Sequence, residues 1–134
     1  MALWPFNKEF GFWDEWRGHS DGTPVFFSRT IFRFKGWKIG IHSMVHPDME
    51  ACFHSHPAIA TRFVFWGGYT EEIYSEDIKI SIMNDVKPMS VSKIVPNMVH
   101  RIHEITNGKT SYTLWIRRPI THKVRLVGSG WSKL

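Results

Sequence analysis

The feature that most constrains this chain is the regular succession of short β-branched and aromatic runs cut by turn residues. "VFFSRTIFRF" (25–34) and "WKIGIHSMV" (37–45) are separated by Lys35-Gly36, a tight-turn signal. "DIKISIM" (77–83) alternates, with Ile78, Ile80 and Ile82 on one face and Lys79 and Ser81 on the other. Further strands are expected over 50–56, 61–66, 89–95, 99–105, 111–117 and 122–127. Between them stand Pro57, Gly67-Gly68, Asn84-Asp85, Pro88, Asn97, Asn107-Gly108 and Pro119. Roughly nine short strands at this spacing, with little helix, predict an all-β sandwich or barrel. A chain of 134 residues makes one domain, 1–134. Its first 24 residues differ in character: "FNKEFGFWDEWRG" predicts a short helix, capped by Asn7 and ended by Gly18. That segment is too apolar for a free tail and is expected to pack on the barrel or across a dimer interface.

Charge and composition narrow the function. Seventeen Lys and Arg oppose twelve Asp and Glu, for a net charge of +5, which suits an anionic partner. Yet the basic residues are dispersed, with only Arg117-Arg118 adjacent among the arginines, so nucleic acid is not the expected ligand. Seven Trp and ten Phe read as core and subunit contacts rather than as a base-stacking platform. The single cysteine, Cys52, excludes an internal disulfide, and no stretch approaches the roughly 18 apolar residues of a membrane helix. The opening "MALWPFNKEF" lacks a basic n-region and a sustained apolar run, so a cytoplasmic protein is expected.

The chemistry concentrates in "EACFHSHPAIATRFVFWGG" (50–68). On a strand, residues i and i+2 share a face, so His54 and His56 project together, with Cys52 on their side. A third ligand is expected from "SKIVPNMVHRIHEI" (92–105), where a strand ends at Pro96-Asn97 and a new one starts near His100. Asn97 suits a left-handed turn residue there. His103 would face away from His100. His19, His42, His46 and His122 have no such context and are expected at the surface or behind the ligands.

These two stretches resemble the motifs of the cupin superfamily, G-x5-H-x-H-x3-4-E-x6-G and G-x5-P-x-G-x2-H-x3-N. His54 and His56 match the histidine pair, Gly68 the closing glycine, and His100 in "PNMVHRI" the later histidine. The resemblance covers residues 48 to 104 and implies a double-stranded β-helix, a jelly-roll-like barrel. Thr61 stands at the glutamate position, Asp48 at the opening glycine, Asn97 at the inner glycine, Pro96 one place from the motif proline, and Glu104 at the final asparagine. Losing the glutamate leaves a neutral three-histidine site. Within the superfamily that is similar to iron-dependent thiol dioxygenases and diketone-cleaving dioxygenases. The resemblance therefore implies a divalent ion, Fe²⁺ first, with Zn²⁺, Ni²⁺ or Mn²⁺ as alternatives, held by His54, His56 and His100. A dioxygenase acting on a small molecule, in a homodimer, is the leading expectation. A non-catalytic binding cupin and a metal-dependent isomerase or hydrolase are the others.

Around the ion the pocket is expected to contain Cys52, Thr61 and Arg62. Cys52 reads first as a small buried hydrophobe and second as a pocket thiol. Thr61 would donate to an ion-bound water. Arg62 faces away unless the register slips after Pro57, in which case it would anchor an anionic substrate. "GGYTEE" (67–72) reads as a turn with Tyr69, Glu71 and Glu72 exposed. In "SYTLWIRRP" the alternation puts Tyr112, Leu114 and Ile116 on one face and Ser111, Thr113, Trp115 and Arg117 on the other.

Overall fold

Turn chemistry sets where the strands begin. Lys35 and Gly36 both take positive φ (47° and 86°), the conformation that closes a two-residue hairpin with the native strand twist. Gly67 and Gly68 also take positive φ, at 84° and 89°, where the chain crosses from one sheet to the other; a Cβ on Gly68 would stand 2.8 Å from the Val86 carbonyl oxygen. In the computed structural model, which describes residues 13–19, 21–108 and 110–133, eleven strands follow from such turns. They are β1 (Glu15–Gly18), β2 (Pro24–Phe34), β3 (Trp37–Met44), β4 (Phe53–His54), β5 (Ala60–Trp66), β6 (Tyr69–Ser75), β7 (Ile80–Val86), β8 (Ser90–Ile94), β9 (Val99–Ile105), β10 (Ser111–Arg117) and β11 (Leu126–Val127). Short 3₁₀ helices occupy Thr106–Gly108 and Ser129–Lys133.

The strands form two antiparallel sheets that face one another. One has the order β1-β2-β3-β10-β5-β8, the other β11-β4-β9-β6-β7. Between them pack Val25, Phe26, Met44, Val64, Tyr69, Val86, Ile102 and Ile105. Ile102 and Ile105 can both point inward because the β6–β9 register shifts between Thr70 and Glu71, leaving His103 as the extra residue of a bulge. A second cluster lies on the outer face of the six-stranded sheet, where Trp13 and Phe27 meet Ile41, Val45 and Tyr112. No helix among the described residues is long and apolar enough to cross a membrane.

The expected strands at 50–56 and 122–127 shorten to Phe53–His54 and Leu126–Val127, that at 77–83 shifts to Ile80–Val86, and three further expectations change. The described part of the predicted N-terminal helix, around Glu15–Gly18, is a strand; residues 6–12 lie outside the described residues. The free edge of β2 offers it hydrogen bonds, and Trp16 stacks on Phe27 at 6.2 Å, so tertiary pairing overrides local propensity. Residues 69–75 form β6, not a continuing turn: Tyr69 is 2% exposed and Glu71 fully buried, and Glu72 is half-buried in an ion pair with Arg101. Asn97 does not take a positive φ. The turn closes instead by Met98 N–H donating to the Val95 carbonyl at 3.0 Å, a type I geometry with Pro96 second.

Candidate metal centre

The residue pair that opens the site is His54, the last residue of β4, and His56, two places on. His54 pairs in register with His100 on β9, so a strand contact brings the distant histidine to the pair. The ring centroids lie 5.4 Å (His54–His56), 4.9 Å (His54–His100) and 5.0 Å (His56–His100) apart. One ligand nitrogen from each ring can be chosen so that all three lie within 4.8 Å of one another. Nitrogens sharing one ion at about 2.1 Å stand some 3 to 4 Å apart, so small ring rotations suffice. The donor set fits a borderline divalent ion. His56 Nε2 and His100 Nε2 are 2.8 Å apart, a hydrogen bond between two imidazoles that share one proton at that contact.

Burial keeps His54 and His56 neutral. It pushes the His54 and His56 rings well below the usual imidazole range, and the neighbouring His100 adds to the effect. Neutral imidazole is the form that ligates.

Behind His100 stands Glu71, from the strand that the sequence reading missed. Its Oε1 accepts from His100 Nδ1 at 2.6 Å, which holds the Nδ1–H tautomer and turns Nε2 toward the other rings. Glu71 also accepts from Arg62 Nη1 at 2.9 Å, from Arg62 Nη2, and from Asn84 Nδ2 at 2.9 Å. Burial alone would raise its carboxyl pKa; the His100 and Arg62 hydrogen bonds outweigh this and hold it far below the usual carboxylate range. Arg62 reaches across from the other sheet, donating also to Ser92 Oγ (2.6 Å) and to the Tyr69 hydroxyl (3.0 Å). Burial pushes that hydroxyl up to about 12, so it stays a neutral donor and acceptor.

A cavity of about 500 Å³ opens over the three histidines. Phe26, His42, Asp48, Tyr69 and Trp115 line it, with Lys38 and Arg117 among its basic residues. His42, expected at the surface or behind the ligands, is a buried wall residue that stacks on Trp115 at 4.8 Å. Burial, helped by the charges of Lys38 and Arg17, pushes it down to about 3. Asp48 accepts from Ile102 N–H at 2.7 Å, and burial raises its pKa. The C-terminal residues Val124, Leu126 and Trp131 complete the wall; Trp131 Nε1 donates to the Phe53 carbonyl at 2.7 Å.

The expected pocket residues Cys52, Thr61 and Arg62 do not line this cavity. On β5 the buried positions are Ala60, Arg62 and Val64, which puts half-exposed Thr61 on the outer face, opposite Lys93. The inward Thr61 rested on its motif position, whereas β5 begins at Ala60 and turns Ala60, Arg62 and Val64 to the inside. Arg62 is the inward residue, and it binds Glu71 instead of a substrate. Cys52 is buried, with a raised thiol pKa from burial, consistent with a small hydrophobe. His103 is exposed and contacts Arg101. The signal for Glu71 was the alternation Tyr69, Glu71, Ile73 immediately after the glycine pair; that for Lys38 and Arg117 lay in their inward strand parity.

No family model matches the sequence, and no curated protein does. Solved structures do resemble the fold. A putative mannose-6-phosphate isomerase from Ralstonia eutropha JMP134 superposes with a TM-score of 0.61 at 15% identity, over 73% of this chain and 88% of that one. An uncharacterised conserved protein with a double-stranded β-helix domain from Klebsiella pneumoniae does so at 0.58 and 16%, over 84% and 90%. Fe(II)-HppE with the alternative substrate (S)-1-HPP gives 0.61 and 12%, over 78% of this chain and 56% of that one. This chain thus spans little more than half the length of HppE.

Proposed function

We propose that this chain, which has the double-stranded β-helix fold of the cupins, is a divalent-metal enzyme, and that its reaction is an iron-dependent dioxygenation of a small molecule. The observation that carries the reading is the convergence of three imidazoles, with no carboxylate in the ligand set, on the floor of a cavity of about 500 Å³. The likeness to a structure solved with Fe(II) supports iron as the first metal to test. Such an ion, when bound, supplies open positions for a chelating substrate and oxygen. The chain's own residues do the rest. Glu71 sets the tautomer of His100, and the Arg62–Glu71 pair holds that carboxylate in place. Trp115, 5.2 Å from the His56 ring, and Phe26 exclude water from the approach to the histidines.

The test is metal analysis of tag-free protein purified without chelators, then anaerobic Fe²⁺ loading and an oxygen-electrode screen with thiols and β-diketones. Oxygen uptake that disappears in His54→Ala is the expected result. Absence of uptake with every chelating substrate, beside tight binding of an unreacted one, would count against the dioxygenase.

A metal-dependent isomerase is the second reading, and Asp48 favours it. This mostly buried carboxyl lines the same cavity with a raised pKa, as suits a group that moves a proton. Solvent deuterium entering a substrate without oxygen uptake would select this alternative.

A further inference from the structure

Apart from the histidines, the cavity has one other concentration of charge. Lys38 on β3 stands directly opposite Arg117 on β10 and opposite Arg33 on β2. Residues directly opposite on antiparallel strands share a face with Cβ atoms about 5 Å apart, and like charges so placed repel. Such a row is costly unless an anion joins it.

The protein itself supplies little. Lys38 is only 9% exposed, and it makes no hydrogen bond to any described residue. Its nearest anion is the Glu15 carboxylate, 3.9 Å away, beyond hydrogen-bond range, and 53% exposed. Arg117 Nε is buried without a partner, while its Nη2 makes a long 3.4 Å bond to the Gly36 carbonyl. Arg17, at the same cavity, lies over the Phe26 ring at 4.6 Å and forms no ion pair among the described residues. The other acid of the lining, Asp48, is taken up by the Ile102 N–H.

We infer that Lys38 and Arg117, framed by Arg17, form a subsite for the anionic group of the substrate, a carboxylate or a phosphate-type oxyanion, set apart from the three histidines. The substrate class is therefore a small organic acid that is held at one end and reacts at the other. Arg117 offers a planar fork for two oxygens, and Lys38 a compact charge. Trp115 lies between the two ends: it precedes Arg117 by two residues, about 7 Å along a strand, and its ring touches His56. An acid anchored at the cations thus passes Trp115 to reach the metal ligands. This inference rests on the proposed metal enzyme for what happens at the far end, but the anion subsite exists with or without the ion.

That independence gives the test. Calorimetric titrations with methylphosphonate and with propionate are run on chelator-treated protein and on Zn²⁺-loaded protein. At least one anion is expected to bind the metal-free protein, and the tighter of the two identifies a phosphate-type or a carboxylate site. Lys38→Met should weaken that binding at least tenfold, Arg117→Gln similarly, and Lys38→Arg less than threefold. None of the three should change Zn²⁺ affinity by more than about twofold. If Lys38→Met does not fold, Arg117→Gln carries the comparison. No anion binding in either state, or binding that requires Zn²⁺ and ignores both substitutions, would overturn the subsite. Failure of the metal reading looks different: anions would bind through Lys38 while no divalent ion binds the histidines.

Discussion

The two sheets face one cavity but bring opposite chemistry to it. The five-stranded sheet presents the imidazoles of His54 and His100, kept neutral at His54 by burial, with Glu71 fixed behind His100. The six-stranded sheet presents cations and aromatics: Lys38, His42, Trp115 and Arg117. On the first wall every buried charge has a partner. On the second, Lys38 and Arg117 face one another. The difference teaches where affinity and reactivity separate. A neutral, supported wall suits metal ligation, whereas an under-compensated cationic wall suits an incoming acid. Arg62 joins the two, since it rises from the six-stranded sheet and ends on Glu71.

The largest effect is expected from breaking that joint. Glu71→Gln leaves the Arg62 guanidinium buried without its counter-charge, which should cost about 3–5 kcal/mol in urea unfolding. The same substitution loosens the His100 tautomer and should lower Zn²⁺ affinity by about 10- to 100-fold. Intact stability would mean that the walls are not coupled through this pair.

A smaller effect comes from the aromatic wall. His42 takes a proton near 6.5 when unfolded but only near 3 when folded. Within that window the unfolded state binds the extra proton, so stability falls as pH falls, by about 1.4 kcal/mol per pH unit for this ring. His42→Phe should flatten the slope of stability against pH between 6 and 4 by about that amount, as read from denaturation midpoints across pH. His54 and His56 act in the same direction, so a residual slope should remain. A slope unchanged in His42→Phe would show that His42 titrates normally.

The smallest effect is predicted for Thr61→Glu. Thr61 points away from the cavity and pairs in register with Lys93, so the new carboxylate meets a cation on the surface. Stability should move by no more than about 0.5 kcal/mol and metal affinity not at all. A tightened metal site would place Thr61 on the inner face and break the assignment of the walls.

What could be read in the sequence was what depends on near neighbours. The relation of His54 to His56 follows from the two-residue period of extended backbone, and the pairs Lys35-Gly36 and Gly67-Gly68 mark turns by their own conformational freedom. Strand rhythm predicted a sandwich or barrel, and the resemblance to the cupin motifs narrowed it to a double-stranded β-helix. The motif position did not carry over to the same face. The motif's glutamate position fell on Thr61, five places after His56, but β5 turns Arg62 inward and Thr61 out. Two glycines hid the start of β6, and Glu71 with it.

By itself, then, the sequence determined an all-β chain and three histidines able to meet, because side-chain alternation and turn conformations are local properties of the backbone. Tertiary structure decided which carboxylate stands behind His100 and which cations face each other across β3 and β10. The physical reason is that strand pairing joins residues far apart in the chain. Their register is set by the packing of whole sheets, which no short stretch of residues encodes.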